Sequence, residues 1–531
     1  MPSSEAKRNN KKTPTTTTST TTTPTPTTEQ TSDLKTMYGF VETPTWLVDI
    51  MLQLAELPAR MDSPFRVLDC GAGRGSIGCR LLDKVPDPNL RVDMVELSEE
   101  LCAELKIRAL PHSGRARIHH ADFLNNEEDT NKATNRKLYD LVIANPPYNV
   151  GGLIKTPTNT TLKKSNDGTI MWRKFVHRSI ELTKPGGRLV LLIPSNWMRG
   201  RNNDIYEALM KEKCRPIAIR CMNNTETNQA FKMLAQTPTC IVSVTRLPLS
   251  LAKKPSTPLF LSDRSTWVAV PPSMVSSGIG LPTSHATIIT KLYLYIHGVG
   301  RKSMARYIEK TTLPYKANQP TADGAYQNVR TCMMLPPPPQ QSTAAISGQE
   351  KEQSTSTKRL YGMANVEENN IKGTRKKVPS IVYEQTPEPT KYAYTGPKLI
   401  LAHKMYGFPY LDISGEVGLN SADGYVLFPH ETDQEPKAVE YLKDQDSNLQ
   451  FLKEAQRILC SPLAILVFES FRYRMRFLER EAFEYLPHTY DESLDAALDS
   501  DDWAEVDRFA DSLGFHLDPD RMVITTTDHM V

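Results

Sequence analysis

The sequence predicts an α/β fold: a largely parallel sheet with helices on both faces, followed by a mixed α+β C-terminal domain. From Met37 to about Leu247, short apolar runs alternate with helical patterns, which is typical of parallel strands joined by helices. Glycine-rich or polar residues follow these runs, as expected where a buried strand leaves a sheet. The runs that predict strands are Arg66–Leu68, Val92–Val95, Leu141–Ala144 and Leu189–Ile193, and the helical patterns include Leu97–Leu110 and Met171–Leu182.

Two later β-like runs close this part of the chain. Pro216–Met222 and Cys240–Val244 follow one another without a long helix between them. A parallel connection needs a long crossover, whereas antiparallel strands do not. We therefore predict an antiparallel pair at the edge of the sheet.

Composition divides the chain into four parts. A Thr/Pro-rich start and a polar stretch after Pro336–Pro339 contain too few apolar residues to form a packed core. Beyond the polar stretch lie a β-rich part, Lys398–Phe428, and a helical part, Glu440–Tyr485. The prediction is a disordered tail (1–36), an α/β domain (37–247), a C-terminal domain made of residues 248–335 and 378–517, and a disordered insertion (336–377).

Bulk properties exclude several classes of protein. A chain of 531 residues is too long for one compact core, and a net charge of +3 does not indicate a polybasic nucleic-acid coat. The eight cysteines are scattered without a C-x-x-C pair, which argues against a zinc ribbon and a secreted disulfide framework. Neither a membrane span nor a signal peptide is visible, so we expect a soluble intracellular protein.

The first candidate site is the glycine turn after the first predicted strand. Asp69 and the glycines Gly71, Gly73 and Gly75 lie between a strand and a helix, where backbone N–H groups can approach a ligand. A tight structural turn and a dinucleotide site are alternatives for this pattern. Glu96 ends the second run and can accept hydrogen bonds from two ribose hydroxyls. Together these features favour a cofactor that contains adenosine.

A third strand end carries another acid followed by an aromatic residue. Asp122 can accept from the adenine amine of the cofactor, and Phe123 can cover the ring. The alternative is that Asp122 caps the next turn. His119 and His120 have no third ligand at suitable spacing, so no metal is predicted.

The motif that carries the chemistry is Asn145-Pro146-Pro147-Tyr148, directly after the third buried run. An aromatic amine is a poor nucleophile because its lone pair is delocalised into the ring. The Asn145 side-chain oxygen and the Pro146 carbonyl can accept hydrogen bonds from such an amine, while the two prolines fix the backbone. Tyr148 offers a flat face for stacking on a target base.

With these motifs the chain resembles gamma-class (Taq-type) DNA adenine-N6 methyltransferases. The segment Gly39–Pro44, the glycine turn, the Asn-Pro-Pro-Tyr motif and Pro194–Trp197 follow one another in that family's order. The C-terminal runs Pro397–Lys404 and Phe477–Pro487 are similar to parts of its target-recognition domain. The resemblance implies S-adenosylmethionine as cofactor. It also implies cofactor contacts at Thr43, Pro44, Asp69, Gly71, Gly73, Glu96, Asp122 and Phe123, and target contacts at Asn145, Pro146, Pro147, Tyr148 and Phe231.

The implied enzyme is a site-specific, adenine-specific DNA methyltransferase. Its target adenine is rotated out of double-stranded DNA, and the methyl group moves directly to N6. We expect Lys398 and Lys404, in a β-like run of the C-terminal domain, to contact phosphates. A core position is an equally good interpretation of Phe231. The expected partner is double-stranded DNA, with a cognate restriction endonuclease as a further candidate, and the enzyme is expected to be a monomer.

Three alternatives stay open at this stage. The Asn-Pro-Pro-Tyr motif is also similar to the site of release-factor glutamine methyltransferases and of some RNA methyltransferases. The large C-terminal domain argues against both, because those enzymes generally lack one. An inactive DNA-binding scaffold would not need the intact acceptors at Asn145 and Pro146. A fused nuclease has no convincing sequence signature.

Overall fold

The computed structural model describes residues 39–125, 138–150, 169–232, 237–248, 258–310, 326–329, 383–386, 395–402, 409–419, 424–432, 445–474 and 478–512. The predicted tail (1–36) and the predicted insertion (336–377) lie outside the described residues, as does Lys404.

A nine-stranded sheet dominates the first part of the chain. In chain order the strands are β1 (Phe65–Cys70), β2 (Leu90–Glu96), β3 (Ala116–His120), β4 (Tyr139–Ala144), β5 (Asn149–Val150), β6 (Thr169–Ile170), β7 (Thr183–Pro194), β8 (Cys214–Met222), β9 (Thr239–Arg246), β10 (Leu259–Asp263) and β11 (Thr266–Val270). The short β5 and β6 pair only with each other, and the large sheet has the order β11-β10-β8-β9-β7-β4-β1-β2-β3. Five neighbouring strands of this sheet, β7, β4, β1, β2 and β3, are parallel to one another.

Helices cover both faces of this sheet, as the sequence predicted. The helices of this part are α1 (Thr45–Ala55), α2 (Gly78–Lys84), α3 (Glu99–Ala109), α4 (Trp172–Leu182), α5 (Asp204–Tyr206) and α6 (Asn224–Ala230). Successive residues of β1 point to opposite faces. Val67 packs in one cluster with Leu47 of α1, whereas Leu68 packs in the other with Phe175 of α4. The predicted α/β sheet with helices on both faces is confirmed, and its fold is of the Rossmann-like methyltransferase type that the family resemblance implies.

Two predictions about the strands β8 to β11 are wrong. The strands β8 and β9 are antiparallel, as predicted, but they do not lie at the edge. The strand β10 pairs in parallel with β8, and β11 then pairs antiparallel with β10. Leu259, Leu261 and Val270 are buried by this pairing. The predicted domain boundary at Leu247 therefore falls inside the sheet, because residues 259–270 belong to it.

The C-terminal part is of mixed α and β structure. Its elements are α7 (Pro272–Ser277), α8 (Ala286–Tyr293), β12 (Ile308–Lys310), β13 (Tyr326–Val329), β14 (Tyr383–Thr386), β15 (Lys398–Ala402), β16 (Tyr410–Asp412), β17 (Gly418–Leu419), β18 (Gly424–Leu427), α9 (Gln445–Leu459), α10 (Pro462–Ser470), α11 (Glu492–Ala497) and α12 (Ser500–Ser512). The strands form a four-stranded sheet of order β12-β18-β15-β16 and a three-stranded sheet of order β14-β13-β17.

The two parts share one continuous hydrophobic core. A single cluster contains Leu68 of β1 together with Leu399 of β15 and Leu466 of α10. The buried Tyr473 hydroxyl donates toward the carbonyls of Met198 (3.2 Å) and Leu281 (2.7 Å), which joins the C-terminal part to the loop after β7. The described residues of the two predicted domains therefore contribute to one packed cluster.

Lys398 does not lie where a phosphate contact requires it. Its side chain is fully buried, and Nζ donates to Asp412 Oδ2 at 2.6 Å and to the Gly415 carbonyl at 3.1 Å. Asp412 in turn accepts the backbone N–H of Val417 at 3.0 Å. The prediction that Lys398 contacts DNA is corrected, because this ammonium group holds the turn after β16 together inside the core.

Removal of the buried ammonium group should destabilise the fold. In Lys398→Ala the Asp412 carboxylate keeps its backbone donors but loses its counter-charge, which should lower the free energy of unfolding by about 3–5 kcal/mol. Urea unfolding of the full chain measures this change. The control is Lys106→Ala on the exposed surface of α3, which should change stability by no more than about 0.5 kcal/mol. Equal effects of the two substitutions would contradict the assignment.

Candidate active site

The candidate site lies at the edge of the sheet where three parallel strands end. The strands β1, β2 and β4 are neighbours that run in the same direction, so the loops after them meet. A cleft opens between these loops and residues 39–43, which precede α1. The predicted site residues that line the cleft are Thr43, Gly71, Gly73, Glu96, Asp122, Phe123, Asn145 and Pro147. The predicted site residues that do not line it are Pro44, Asp69, Pro146, Tyr148 and Phe231.

The glycine turn leaves space where a ligand can approach. The backbone N–H groups of Gly71 and Ala72 both donate to the Val95 carbonyl at 2.9 Å, which ties the turn to β2. Gly71 has a φ of 77°, and a Cβ there would point between Pro147 and Phe175, at 3.5 and 3.8 Å. Both of those residues line the cleft. The missing side chain therefore opens the cleft, as a cofactor cradle requires.

Glu96 presents a buried, oriented carboxylate to the cleft. Its Oε2 accepts the backbone N–H of Gly73 and its Oε1 accepts that of Ser98, each at 2.8 Å. A carboxylate oxygen can accept more than one hydrogen bond, so both oxygens keep capacity for a further donor. This geometry fits the two hydroxyls of a ribose, and it also means that Glu96 fixes the glycine turn.

Asp69 lies behind the turn rather than in the cleft. Its Oδ2 accepts the N–H of Gly78 at 3.0 Å, at the start of α2, while its Oδ1 is buried without a partner. Burial, with a smaller contribution from the nearby Glu96 charge, raises the pKa of this carboxyl to about 7, although the hydrogen bond from Gly78 acts in the opposite direction. The structure therefore gives Asp69 a role in holding the turn and does not bring it into the cleft.

The loop after β3 contributes one acid and one aromatic wall. Asp122 caps its own turn, because Oδ1 accepts the Leu124 N–H at 2.8 Å and Oδ2 accepts the Asn125 side-chain amide at 2.8 Å. Asp122 also lines the cleft, so the capping role and the predicted adenine contact are compatible. The Phe123 ring stacks on Phe175 with centroids 5.0 Å apart, and both rings line the cleft.

The loop after β4 holds the Asn-Pro-Pro-Tyr motif. The Asn145 side-chain nitrogen donates to Thr43 Oγ1 at 3.0 Å and to the Val41 carbonyl at 3.3 Å. Pro146 is buried, and Pro147 lines the cleft beside Asn145. The structure thus brings the predicted catalytic amide into the same cleft as the predicted cofactor contacts.

The two aromatic residues predicted to stack on a base differ in their surroundings. Tyr148 is half-buried, its hydroxyl donates to the Leu192 carbonyl at 3.4 Å, and burial raises the pKa of that hydroxyl well above its usual value. Phe231 is buried in the core cluster that also contains Met222. The stacking role predicted for Phe231 is corrected, because its ring presents no open face to the cleft and the core interpretation is the one observed.

A strap of residues 39–43 forms a wall of the cleft that sequence reasoning described only in part. The Phe40 ring lies so close to Gly73 that a Cβ on that glycine would sit 2.5 Å from it. The Arg74 guanidinium stacks over the same ring at 5.1 Å. The resemblance implied a site role for Thr43 in this segment. Phe40 was not predicted as a site residue, although it is an aromatic residue next to a glycine in the segment that carries the resemblance. Phe175 was missed because a helical pattern alone does not mark a cleft residue.

Two negative findings concern only the ranges described above. No group of three or more His, Cys, Asp or Glu side chains there is arranged to hold a metal ion. No helix in those ranges combines the length and apolar character that a membrane crossing requires.

Parts of the chain are similar in sequence to known proteins. Residues 90–231 match the family described as Eco57I restriction-modification methylase. The tRNA1(Val) (adenine(37)-N6)-methyltransferase of Porphyromonas gingivalis is 27% identical over 136 residues, which are 26% of this chain and 52% of that protein. The release factor glutamine methyltransferase of Enterococcus faecalis is 29% identical over 141 residues, or 25% of this chain and 48% of that protein. The chain spans about half the length of these curated relatives.

Among solved structures, the methyltransferase subunit of a type I restriction-modification system from Streptococcus thermophilus is similar to part of the chain. It is 17% identical with a TM-score of 0.32, and the match covers 42% of this chain and 47% of that subunit. Both of the named sequence relatives are methyltransferases, and the observed sheet is of the Rossmann-like methyltransferase type. The chain thus carries a segment that is similar to methyltransferases, and S-adenosylmethionine is the cofactor of this fold type, as the sequence predicted.

Loss of the Glu96 carboxylate should weaken cofactor binding. Glu96→Ala removes hydrogen bonds to a charged group, so the dissociation constant for S-adenosylmethionine should rise by roughly 10–100-fold. The glycine turn also loses an anchor at Gly73 N–H, so calorimetry should be done well below the thermal midpoint of the variant. Unchanged affinity would refute the ribose assignment.

Asp69 should make stability depend on pH. The folded chain holds the Asp69 proton up to about pH 7, whereas an aspartate carboxyl exposed to water releases it near pH 3.8. The unfolded chain therefore loses this proton first, and the free energy of unfolding should fall as pH rises between those values. Asp69→Asn cannot ionise and should lack this component, which amounts to at most about 4 kcal/mol. Urea unfolding from about pH 5 to about pH 8 measures it, and parallel curves for the two proteins would contradict the prediction.

Proposed function

We propose that this chain is a site-specific DNA methyltransferase that transfers a methyl group from S-adenosylmethionine to N6 of adenine. The observation that carries the proposal is the position of Asn145, which lines one cleft together with Glu96 and Gly71. An acceptor for an amine thus lies beside the groups that suit an adenosine cofactor.

The residues of the chain divide the work in this proposal. When bound, S-adenosylmethionine supplies an electrophilic methyl group on a sulfonium. Glu96 and the glycine turn would hold its adenosine part, with Phe123 and Phe175 against the adenine ring. Asn145 Oδ1 and the Pro146 carbonyl would accept hydrogen bonds from the target amine, which localises the nitrogen lone pair for attack. Tyr148 would provide the stacking face for the target base, a role that needs its ring rather than its neutral hydroxyl.

Two features support DNA as the substrate. The family matched by residues 90–231 is described as a restriction-modification methylase. The chain also continues for more than 200 residues after the methyltransferase-like segment, with two further sheets and several helices. A large additional part is what sequence-specific contacts to a duplex require, because the catalytic cleft itself contacts only one base of the DNA, the base to be methylated.

A second candidate substrate is tRNA. The Porphyromonas gingivalis relative is named for N6 of adenine 37 in a tRNA, so the same chemistry on another nucleic acid is a specific alternative. The cleft residues fit either target, because both present the same amine to Asn145. The candidates differ in what the C-terminal part binds, and a direct comparison of methylated DNA and tRNA separates them.

The role of Asn145 can be tested by substitution. Asn145→Ala should lower turnover by a factor of roughly 100 or more, because the lost hydrogen bond counts mainly when the amine attacks. The dissociation constant for S-adenosylmethionine should stay within roughly 3-fold, since Glu96 and the glycine turn are unchanged. Transfer of labelled methyl groups to DNA from a methylation-deficient bacterium measures turnover, and calorimetry measures binding. Full turnover in the variant would contradict the proposed function, and an equal loss of cofactor binding would contradict the role of Asn145.

A further inference from the structure

The side-chain amide of Asn145 has one orientation that its neighbours permit. The atom assigned as Nδ2 lies 3.3 Å from the Val41 carbonyl oxygen and 3.0 Å from Thr43 Oγ1. A carbonyl oxygen accepts hydrogen bonds and cannot donate them. The nitrogen of the amide must therefore face the strap, and the hydrogen-bond network determines the assignment.

This orientation leaves the other end of the amide free for a substrate. Across the described residues, no donor is paired with Asn145 Oδ1, and this oxygen is not among the unpartnered atoms that are buried. Asn145 itself lines the cleft. The acceptor needed for an amine is thus accessible, while the donor end is held by the strap.

Thr43 is the better anchored of the two strap partners. Its side chain is buried, so water does not readily replace it beside the amide. The next residue, Pro44, is the N-cap of α1, and its carbonyl accepts the N–H groups of Leu47 and Val48 at 3.0 Å each. The hydroxyl therefore stands at a point that the first turn of the helix fixes.

We propose that Thr43 is a positioning residue for methyl transfer: its hydroxyl accepts from Asn145 Nδ2 and so keeps Oδ1 directed at the target amine. This inference rests on the proposed function, and it differs from the cofactor contact that the family resemblance implies for Thr43. Without the hydroxyl, only the longer 3.3 Å contact to the Val41 carbonyl restrains the amide, so the amide rotates more readily and presents its N–H groups to an amine that also donates. Two donors repel, so the rotated form is inactive although the cofactor still binds.

Two substitutions separate the hydroxyl from the shape of the side chain. Thr43→Val keeps the volume and removes the hydroxyl, whereas Thr43→Ser keeps the hydroxyl. In the full chain, Thr43→Val should lower kcat by roughly 10–100-fold, because one oriented polar contact is lost. The KM for DNA and the dissociation constant for the cofactor should stay within roughly 3-fold of the values for the unsubstituted chain. Thr43→Ser should retain kcat within roughly 3-fold. Thr45→Val, the same change at an exposed position two residues away, should leave kcat unchanged.

Calorimetry with S-adenosylmethionine reports whether each variant is folded and still forms the cofactor site. An unchanged kcat in Thr43→Val would overturn the inference, and so would a loss of kcat that is matched by a loss of cofactor affinity. Equal losses in Thr43→Val and Thr43→Ser would also overturn it, because the hydroxyl would then be irrelevant. If Asn145→Ala retains full activity, the proposed function fails instead, which keeps the two claims distinguishable.

Discussion

Parallel pairing of β1 with β2 on one side and β4 on the other is the constraint on which the candidate site depends. The register places Cys70 of β1 opposite Val95 of β2, and Val67 opposite Leu141 of β4. The residues that follow these strands therefore emerge at one edge, although they are separated by up to 74 positions in the chain. A shift of one residue in this register would turn the buried side chains to the opposite face. The apolar contacts of both faces thus hold Gly71, Glu96 and Asn145 together.

The strap adds a second connection that runs across the strand ends. Phe40 packs on Gly73 of the glycine turn, and Thr43 holds Asn145 of the catalytic loop. A segment of five residues thereby contacts both halves of the cleft, and α1 fixes one end of it. The cofactor side and the target side of the site share one wall, so a change in the strap acts on both.

The sequence allowed the central sheet to be predicted because its signals are local. Leu141–Ala144 is an apolar run long enough for a buried strand, and the structure extends it only to Tyr139. The position of Glu96 at the end of β2 followed in the same way. The failures concern contacts between distant segments. Leu259–Asp263 carries no sign that it pairs with β8, and Lys398 is buried only because Asp412 reaches it from β16. The stacking role predicted for Phe231 was wrong for a related reason. A resemblance in sequence at one position does not determine whether the ring faces a cleft or the core.

The most direct test of the account is a mass-spectrometric measurement of N6-methyladenine in a bacterium that lacks this modification. The full chain and its Asn145→Ala variant would be expressed separately, and DNA and tRNA from each culture would be digested and quantified. The account predicts N6-methyladenine in the DNA of cells that express the full chain, and no N6-methyladenine in the DNA of cells that express the variant. When the modified bases are located in the same DNA, they should lie at one recurrent sequence. Modification confined to tRNA would contradict the proposed substrate, and no modification of either nucleic acid by a folded protein that binds S-adenosylmethionine would contradict the central claim.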